Sequence, residues 1–215
     1  MTASMQNILN DLRSGKMIVL VDDESRENEG DLVLAAEMVT PEALNFILKH
    51  ARGFICLPVS DAVAEQFELH PMVDRNECPF ETPFTVTIDA REGITTGVSV
   101  YDRVVTIRKL LDQDARPDDF VRPGHVLPLR AHPGGVEKRH GHTEGSVELV
   151  TLAGMKQAAV ISEIMNEDGS MAKGEELEQF ACTHGFNICT IAQILEFVLE
   201  DSEQFAEPSR QVGDG

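Results

Sequence analysis

Six carboxylates crowd into ten residues, Asp22-Asp23-Glu24-Ser25-Arg26-Glu27-Asn28-Glu29-Gly30-Asp31. The run lies between two apolar stretches, 17–21 and 32–36, that both read as buried strands. A loop joining two such strands stays close to a core. Anions packed there are costly unless a cation or a ligand compensates them. A solvated acidic turn is the plain alternative. The lone Arg26 beside Glu27, and the Gly30-Asp31 turn into the next strand, favour a site for a metal ion and a polyol.

A second cluster is basic. His125, His132, His140 and His142 fall within eighteen residues, together with Arg122, Arg130, Lys138 and Arg139. The cluster ends in Arg139-His140-Gly141-His142-Thr143-Glu144, just ahead of a helical pattern. Free backbone N–H groups at a helix start, with a guanidinium beside them, suit a phosphate. Gly141 lets the backbone come close, and Thr143 brings a hydroxyl. A capping Thr with surface His and Arg is the alternative. A hard divalent ion such as Mg²⁺ takes few protein ligands and keeps open positions for substrate oxygens. Glu27 and His142 are a candidate pair for it.

Two more residues have the chemistry for proton transfer. Arg122-Pro123-Gly124-His125 is a tight turn presenting an imidazole, a plausible acid or base near a metal-bound carbonyl. Glu163 interrupts an apolar strand, where it either points to solvent or is buried as a base with a raised pKa.

The elements that must position these groups follow from local pattern. Residues 5–14 carry a helical stripe. Thr40-Pro41 starts a helix that runs to about residue 51 and ends at Gly53. Strands are expected at 54–59, 84–88, 157–165 and 187–190, and a short one within 121–131. Further helices are expected at 60–67, from Ser99 to about residue 111, from Thr143 to about residue 153, at 175–184, and from Thr190 with Gln193 completing a capping box. Residues 70–83, with Pro71, Pro79 and Pro83, read as an irregular loop able to act as a lid. The fold class is α+β, or mixed α/β: one domain over residues 1–200, a mixed sheet layered with helices, and a disordered acidic tail over 201–215.

With 215 residues the chain is long enough for one sizeable core. Its net charge of −19 disfavours nucleic acid and anionic membranes as partners. No apolar run is long enough to span a bilayer. The start of the chain lacks a charged segment followed by an apolar one, so no signal peptide and a cytoplasmic location are expected. The four cysteines form no C-x-x-C pair and read as buried, reduced thiols.

Taken jointly, DDESRENEGD, RPGH, RHGHTE and the strand ending at Glu163 resemble the 3,4-dihydroxy-2-butanone 4-phosphate synthases of riboflavin biosynthesis. So do Gly53-Phe54-Ile55-Cys56-Leu57, Phe84-Thr85-Val86-Thr87-Ile88, and Thr95-Thr96-Gly97-Val98-Ser99 followed by Asp102-Arg103. The similarity covers roughly residues 5–200. It implies conversion of D-ribulose 5-phosphate to L-3,4-dihydroxy-2-butanone 4-phosphate and formate, with Mg²⁺ or Mn²⁺, by a homodimer with active sites near the subunit contact. The family's metal ligands fall on Glu27 and His142. Its substrate contacts fall on Arg26, Glu27, Asp31, Arg139, His140, Gly141, His142, Thr143 and Glu163. Its catalytic positions fall on His125, Glu163, Asp31 and Glu27. The chain departs from the family pattern at Ser25, Tyr101, His140 and Ser162. It lacks the cysteine cluster of the cyclohydrolase domain that many relatives carry, so the synthase activity alone is expected. A nucleotide- or RNA-binding module and a metal-dependent sugar-phosphate isomerase or aldolase are the competing classes.

Overall fold

A computed structural model describes residues 2–206. Seven strands, β1 (Ile18–Val21), β2 (Gly30–Ala35), β3 (Cys56–Val59), β4 (Ile88–Ala90), β5 (Phe120–Arg130), β6 (Ala159–Glu163) and β7 (Asn187–Thr190), build one mixed sheet in the order β4-β5-β3-β6-β2-β1-β7. The hairpin β1–β2 is antiparallel, as is β2–β6, whereas β1–β7 and β3–β5 run parallel. Seven α-helices join them: α1 (Met5–Arg13), α2 (Pro41–His50), α3 (Asp61–Gln66), α4 (Val100–Leu110), α5 (His142–Leu152), α6 (Glu175–His184) and α7 (Ile191–Ala206).

Alternation along the strands divides the core in two. Val19, Leu32, Leu34, Leu57 and Val160 pack with Leu44 and Ile47 of α2, Ile107 of α4 and Leu177 of α6. Ile18, Leu20, Val33, Ala35 and Ile161 pack with Ile8 and Leu12 of α1, Leu149 of α5 and Ile194 of α7. Helices therefore cover both faces, which is why the central strands are apolar at nearly every position. The expected mixed sheet with helices is present, as a three-layer sandwich.

Local signals set most helix starts. The hydroxyls of Thr40, Ser60 and Ser99 cap α2, α3 and α4 by accepting from the backbone N–H groups of Ala43, Val63 and Asp102. Thr190 and Gln193 bond reciprocally at the head of α7. Gly185 ends α6 in the left-handed conformation.

Some expectations shift. The strand expected at 84–88 reduces to isolated bridges at Phe84 and Thr85, and β4 begins only at Ile88. The short strand expected within 121–131 is an eleven-residue strand. Helix α7 runs from Ile191 to Ala206, past the domain end expected at 200; residues 207–215 of the expected tail lie outside the described residues. Of the cysteines, Cys56 and Cys189 are buried, Cys78 is half-buried and Cys182 is exposed on the outer side of α6, against the expectation that all four are buried. Among the described residues no helix is long and apolar enough to cross a membrane.

Candidate active site at the mouth of the first hairpin

Val21 pairs with Gly30, so residues 22–29 close the β1–β2 hairpin as one tight loop. Asp22 holds that loop in shape. It is buried, and its carboxylate accepts from the backbone N–H of Glu29 (2.9 Å) and of Glu27 (3.1 Å) and from the Arg26 guanidinium (2.8 Å). The same Arg26 Nη1 donates to Glu27 Oε2 at 2.8 Å. One guanidinium thus bonds two carboxylates and offsets one of their two charges, so the loop keeps a net negative charge near the core.

His142 is the first residue of α5, behind Gly141 as N-cap. Its Nδ1 faces Glu27 Oε2 at 3.6 Å and Asp31 Oδ1 at 3.9 Å. These separations exceed a hydrogen bond but are short enough for one ion to bridge. His142 Nε2 and Asp31 Oδ1 are both buried with no hydrogen-bond partner among the described residues. Ligand atoms of Asp22, Glu27 and His142 all lie within 4.8 Å of one another. Both oxygens of Asp22 are already taken up by N–H donors, so Glu27 and His142 are the pair on which an ion would draw. The carboxylate oxygen is a hard donor suited to Mg²⁺ or Mn²⁺, and the imidazole nitrogen is a borderline one.

The electrostatics fit that arrangement. Burial works against a charged His142 ring, yet the carboxylates of Asp31 and Glu27 outweigh it and raise its pKa to about 9. Burial above all, with the negative charges of Glu163, Glu27 and Glu29, pushes Asp31 up to about 7. Glu27 is held below the usual carboxylate range, first by His142 and then, against partial burial, by Arg26. Glu163 stands opposite Asp31 on β6, half-buried, where its Oε2 accepts from Phe54 N–H at 2.8 Å. It does not point freely to solvent.

The RHGHTE segment folds against the same mouth. Arg139 Nη1 donates to the fully buried Glu144 at 2.6 Å, and its Nη2 donates to the Phe80 carbonyl at 2.9 Å. Glu144 also accepts from the His132 backbone N–H at 3.0 Å. The Phe80 ring lies 5.4 Å from the Arg26 guanidinium carbon. The irregular loop 70–83 therefore touches both site arginines through a single residue. Gly141 and Thr143 are buried at the α5 start. His140 is exposed and lines, with Asp23, Ser25 and Arg26, a cavity of about 1030 Å³.

Arg26, Glu27, Asp31, His142 and Glu163 thus meet, with Arg139 joined through Phe80. His125 does not meet them. It lies on β5 at the far side of β3 and β6, where its Nδ1 contacts Asp89 Oδ2 at 2.6 Å. The sequence did not single out Asp22 as organiser of its loop, nor Phe80, Asp89 or Glu144. Glu144 had a usable signal: a carboxylate in the first turn of a helix, five residues after an arginine.

Fold and site together define a three-layer α/β protein with a histidine and carboxylate cluster at the mouth of one hairpin. The chain belongs to the 3,4-dihydroxy-2-butanone 4-phosphate synthase family, whose model matches residues 6–197. It is 52% identical over 198 residues to the riboflavin biosynthesis protein RibBA of Aquifex aeolicus, covering 91% of this chain and 49% of that protein. It is 50% identical over 190 residues to the 3,4-dihydroxy-2-butanone 4-phosphate synthase of Neisseria meningitidis serogroup B, covering 88% of this chain and 52% of that one. The chain thus spans about half the length of these relatives. Among solved structures, a 3,4-dihydroxy-2-butanone 4-phosphate synthase in complex with two magnesium ions superposes with a TM-score of 0.87 at 40% identity, covering 92% of this chain and 97% of that one. The two-domain synthase RibBX of A. baumannii gives a TM-score of 0.87 at 47% identity, covering 91% and 57%.

Proposed function

We propose that this chain converts D-ribulose 5-phosphate to L-3,4-dihydroxy-2-butanone 4-phosphate and formate, in riboflavin biosynthesis, with Mg²⁺ as cofactor and Mn²⁺ able to replace it. One observation carries the reading: Glu27 and His142, more than a hundred residues apart in sequence, face each other at 3.6 Å, where two buried polar atoms have no hydrogen-bond partner among the described residues. Family membership over residues 6–197, and a relative's structure described as holding two magnesium ions, support it.

Glu27 and His142 are the residues that hold the ion. Once bound, a divalent cation stabilises the negative charge that builds on substrate oxygens when a C–H bond beside the carbonyl loses its proton. The remaining work falls to the chain. Arg139 and the N–H groups at the start of α5 anchor the phosphate. Arg26 and Asp31 hold substrate hydroxyls. Asp31, buried beside His142 and opposite Glu163, is placed to take up and return a proton at the substrate. Glu163 sits across the strand from it as a second proton carrier. The Phe80 ring covers Arg26 while its carbonyl holds Arg139, and the ring limits water around the bound sugar.

His125 serves as a further acid or base, but within one copy it lies three strand spacings from β2, about 14 Å away across the sheet. A homodimer in which each copy lends His125 to the other's hairpin mouth resolves that distance. Such an enzyme works in the cytoplasm, binds neither nucleic acid nor membrane, and takes the sugar phosphate as its partner.

Glu27→Gln keeps the shape of the side chain and removes the charge. We expect formate release from D-ribulose 5-phosphate with Mg²⁺ to vanish while the circular dichroism spectrum stays unchanged. Near-normal turnover in that variant would remove Glu27 from the metal site.

A further inference from the structure

We infer that Asp89 is a positioning residue for His125: it fixes the ring's tautomer and orientation so that Nε2 is the nitrogen that exchanges a proton with substrate. This rests on the reading above, in which His125 moves a proton. Between Ile88 and Asp89 the β4–β5 register jumps, pairing Ile88 with Val126 and Asp89 with Val121. Residues 122–125 therefore bulge from the ladder, and a bulge is a device that re-aims a side chain. Side chains in and just before β4 tie the bulge down: Gly124 N–H donates to Thr87 Oγ1 at 3.0 Å, and His125 N–H donates to Asp89 Oδ1 at 2.9 Å. A Cβ at Gly124 would overlap the Ile88 backbone, so only glycine lets the bulge lie this close.

The second oxygen of Asp89 meets the ring. Asp89 is 7% exposed in its side chain, and its Oδ2 lies 2.6 Å from His125 Nδ1. An ionised carboxylate only accepts, so Nδ1 carries the hydrogen and Nε2 the lone pair. The ring itself is 46% exposed. It is held on one edge and open on the other, as a proton carrier must be.

The loop 95–97 seals the pair. Asp102 accepts from Thr95 N–H (3.1 Å), Thr95 Oγ1 (2.7 Å) and Gly97 N–H (3.0 Å), while its own N–H is capped by Ser99. Gly97, at φ +91°, lies so close that a Cβ would overlap both Asp89 and His125. Neither the acidic hairpin nor the RHGHTE helix start contributes to this second assembly, which is built around one imidazole.

The test combines imidazole nitrogen NMR on the full chain with steady-state kinetics. In the unsubstituted protein, neutral His125 should carry its hydrogen on Nδ1. Asp89→Asn keeps an acceptor for the His125 backbone but offers an amide N–H to the ring, so the ring hydrogen should move to Nε2. With Mg²⁺ and D-ribulose 5-phosphate, kcat should fall by about 10²- to 10⁴-fold while KM changes little. A hydrogen on Nε2 in the unsubstituted protein overturns the inference whether or not any variant folds. So does an unchanged kcat in Asp89→Asn when His125→Gln is inactive. If His125→Gln itself keeps full turnover, the role given to His125 falls, and the inference falls with it.

Discussion

Raising the pH should increase the stabilisation that Mg²⁺ confers. In the metal-free chain the fold raises His142 from its ordinary 6.5 to about 9 and Asp31 from 3.8 to about 7. A group raised by folding contributes stability below its unfolded pKa and loses it as pH climbs through the folded one. Metal-free stability should therefore decline through these two groups as pH rises from about 4 to 9. An imidazole ligand must be neutral, so an ion entering between Glu27 and His142 expels the His142 proton. Below about pH 9, each unit of acidification then weakens the ion's affinity about tenfold. From pH 8.5 to 6.5 that is roughly a hundredfold, or about 2.7 kcal/mol of lost linkage at fixed excess Mg²⁺. For a domain of this size each kcal/mol moves Tm by about 2–4 °C. The gap between the Mg²⁺ and chelator melting curves should thus widen by roughly 5–11 °C between pH 6.5 and 8.5. Differential scanning calorimetry at three or four pH values measures it. A gap that stays constant with pH, or that survives unchanged in His142→Gln, would refute the reasoning.

The other predictions concern the phosphate end of the site. Arg139→Ala should raise KM for the sugar phosphate well above tenfold with a smaller change in kcat, because a charge-assisted contact is lost; an unchanged KM places the phosphate elsewhere. Glu144→Ala leaves Arg139 and the His132 N–H without their shared buried acceptor. It should cost about 3 kcal/mol by urea unfolding, and a loss below about 0.5 kcal/mol would show the pair to be incidental. Phe80→Ala removes a ring from Arg26 but keeps the carbonyl that Arg139 uses. KM should rise only a few-fold, as expected for a partly exposed cation–π contact, and stability should hardly change.

Much of this was legible in the residues because it is local. Helix caps at Thr40, Ser60 and Ser99 and the capping box at Thr190 are written in neighbouring side chains. The acidic hairpin was visible because two apolar runs bracket it. What escaped depends on partners distant in sequence. The full length of β5 was hidden by Pro123, Gly124 and Pro128, residues that normally mark turns; the strand tolerates the first two because 122–125 bulges out between two ladders, while Pro128 stays in the β3 ladder opposite Leu57. The early start expected for β4 failed because Thr85 bonds to Pro128 rather than joining a continuous ladder. Glu27 and His142 were each conspicuous, but no periodicity could say that α5 would dock on the β1–β2 face and bring them to 3.6 Å. Asp89 lies just past the strand expected at 84–88 and drew no notice; its meaning appears only with the bulge opposite.

The most direct test of the central claim is an anomalous diffraction map from a crystal grown with Mn²⁺ in place of Mg²⁺. The account predicts a strong peak within ligand distance of both the Glu27 carboxylate and the His142 imidazole, lost in Glu27→Gln. A peak elsewhere, with Glu27 and His142 bound only to each other or to water, would contradict it.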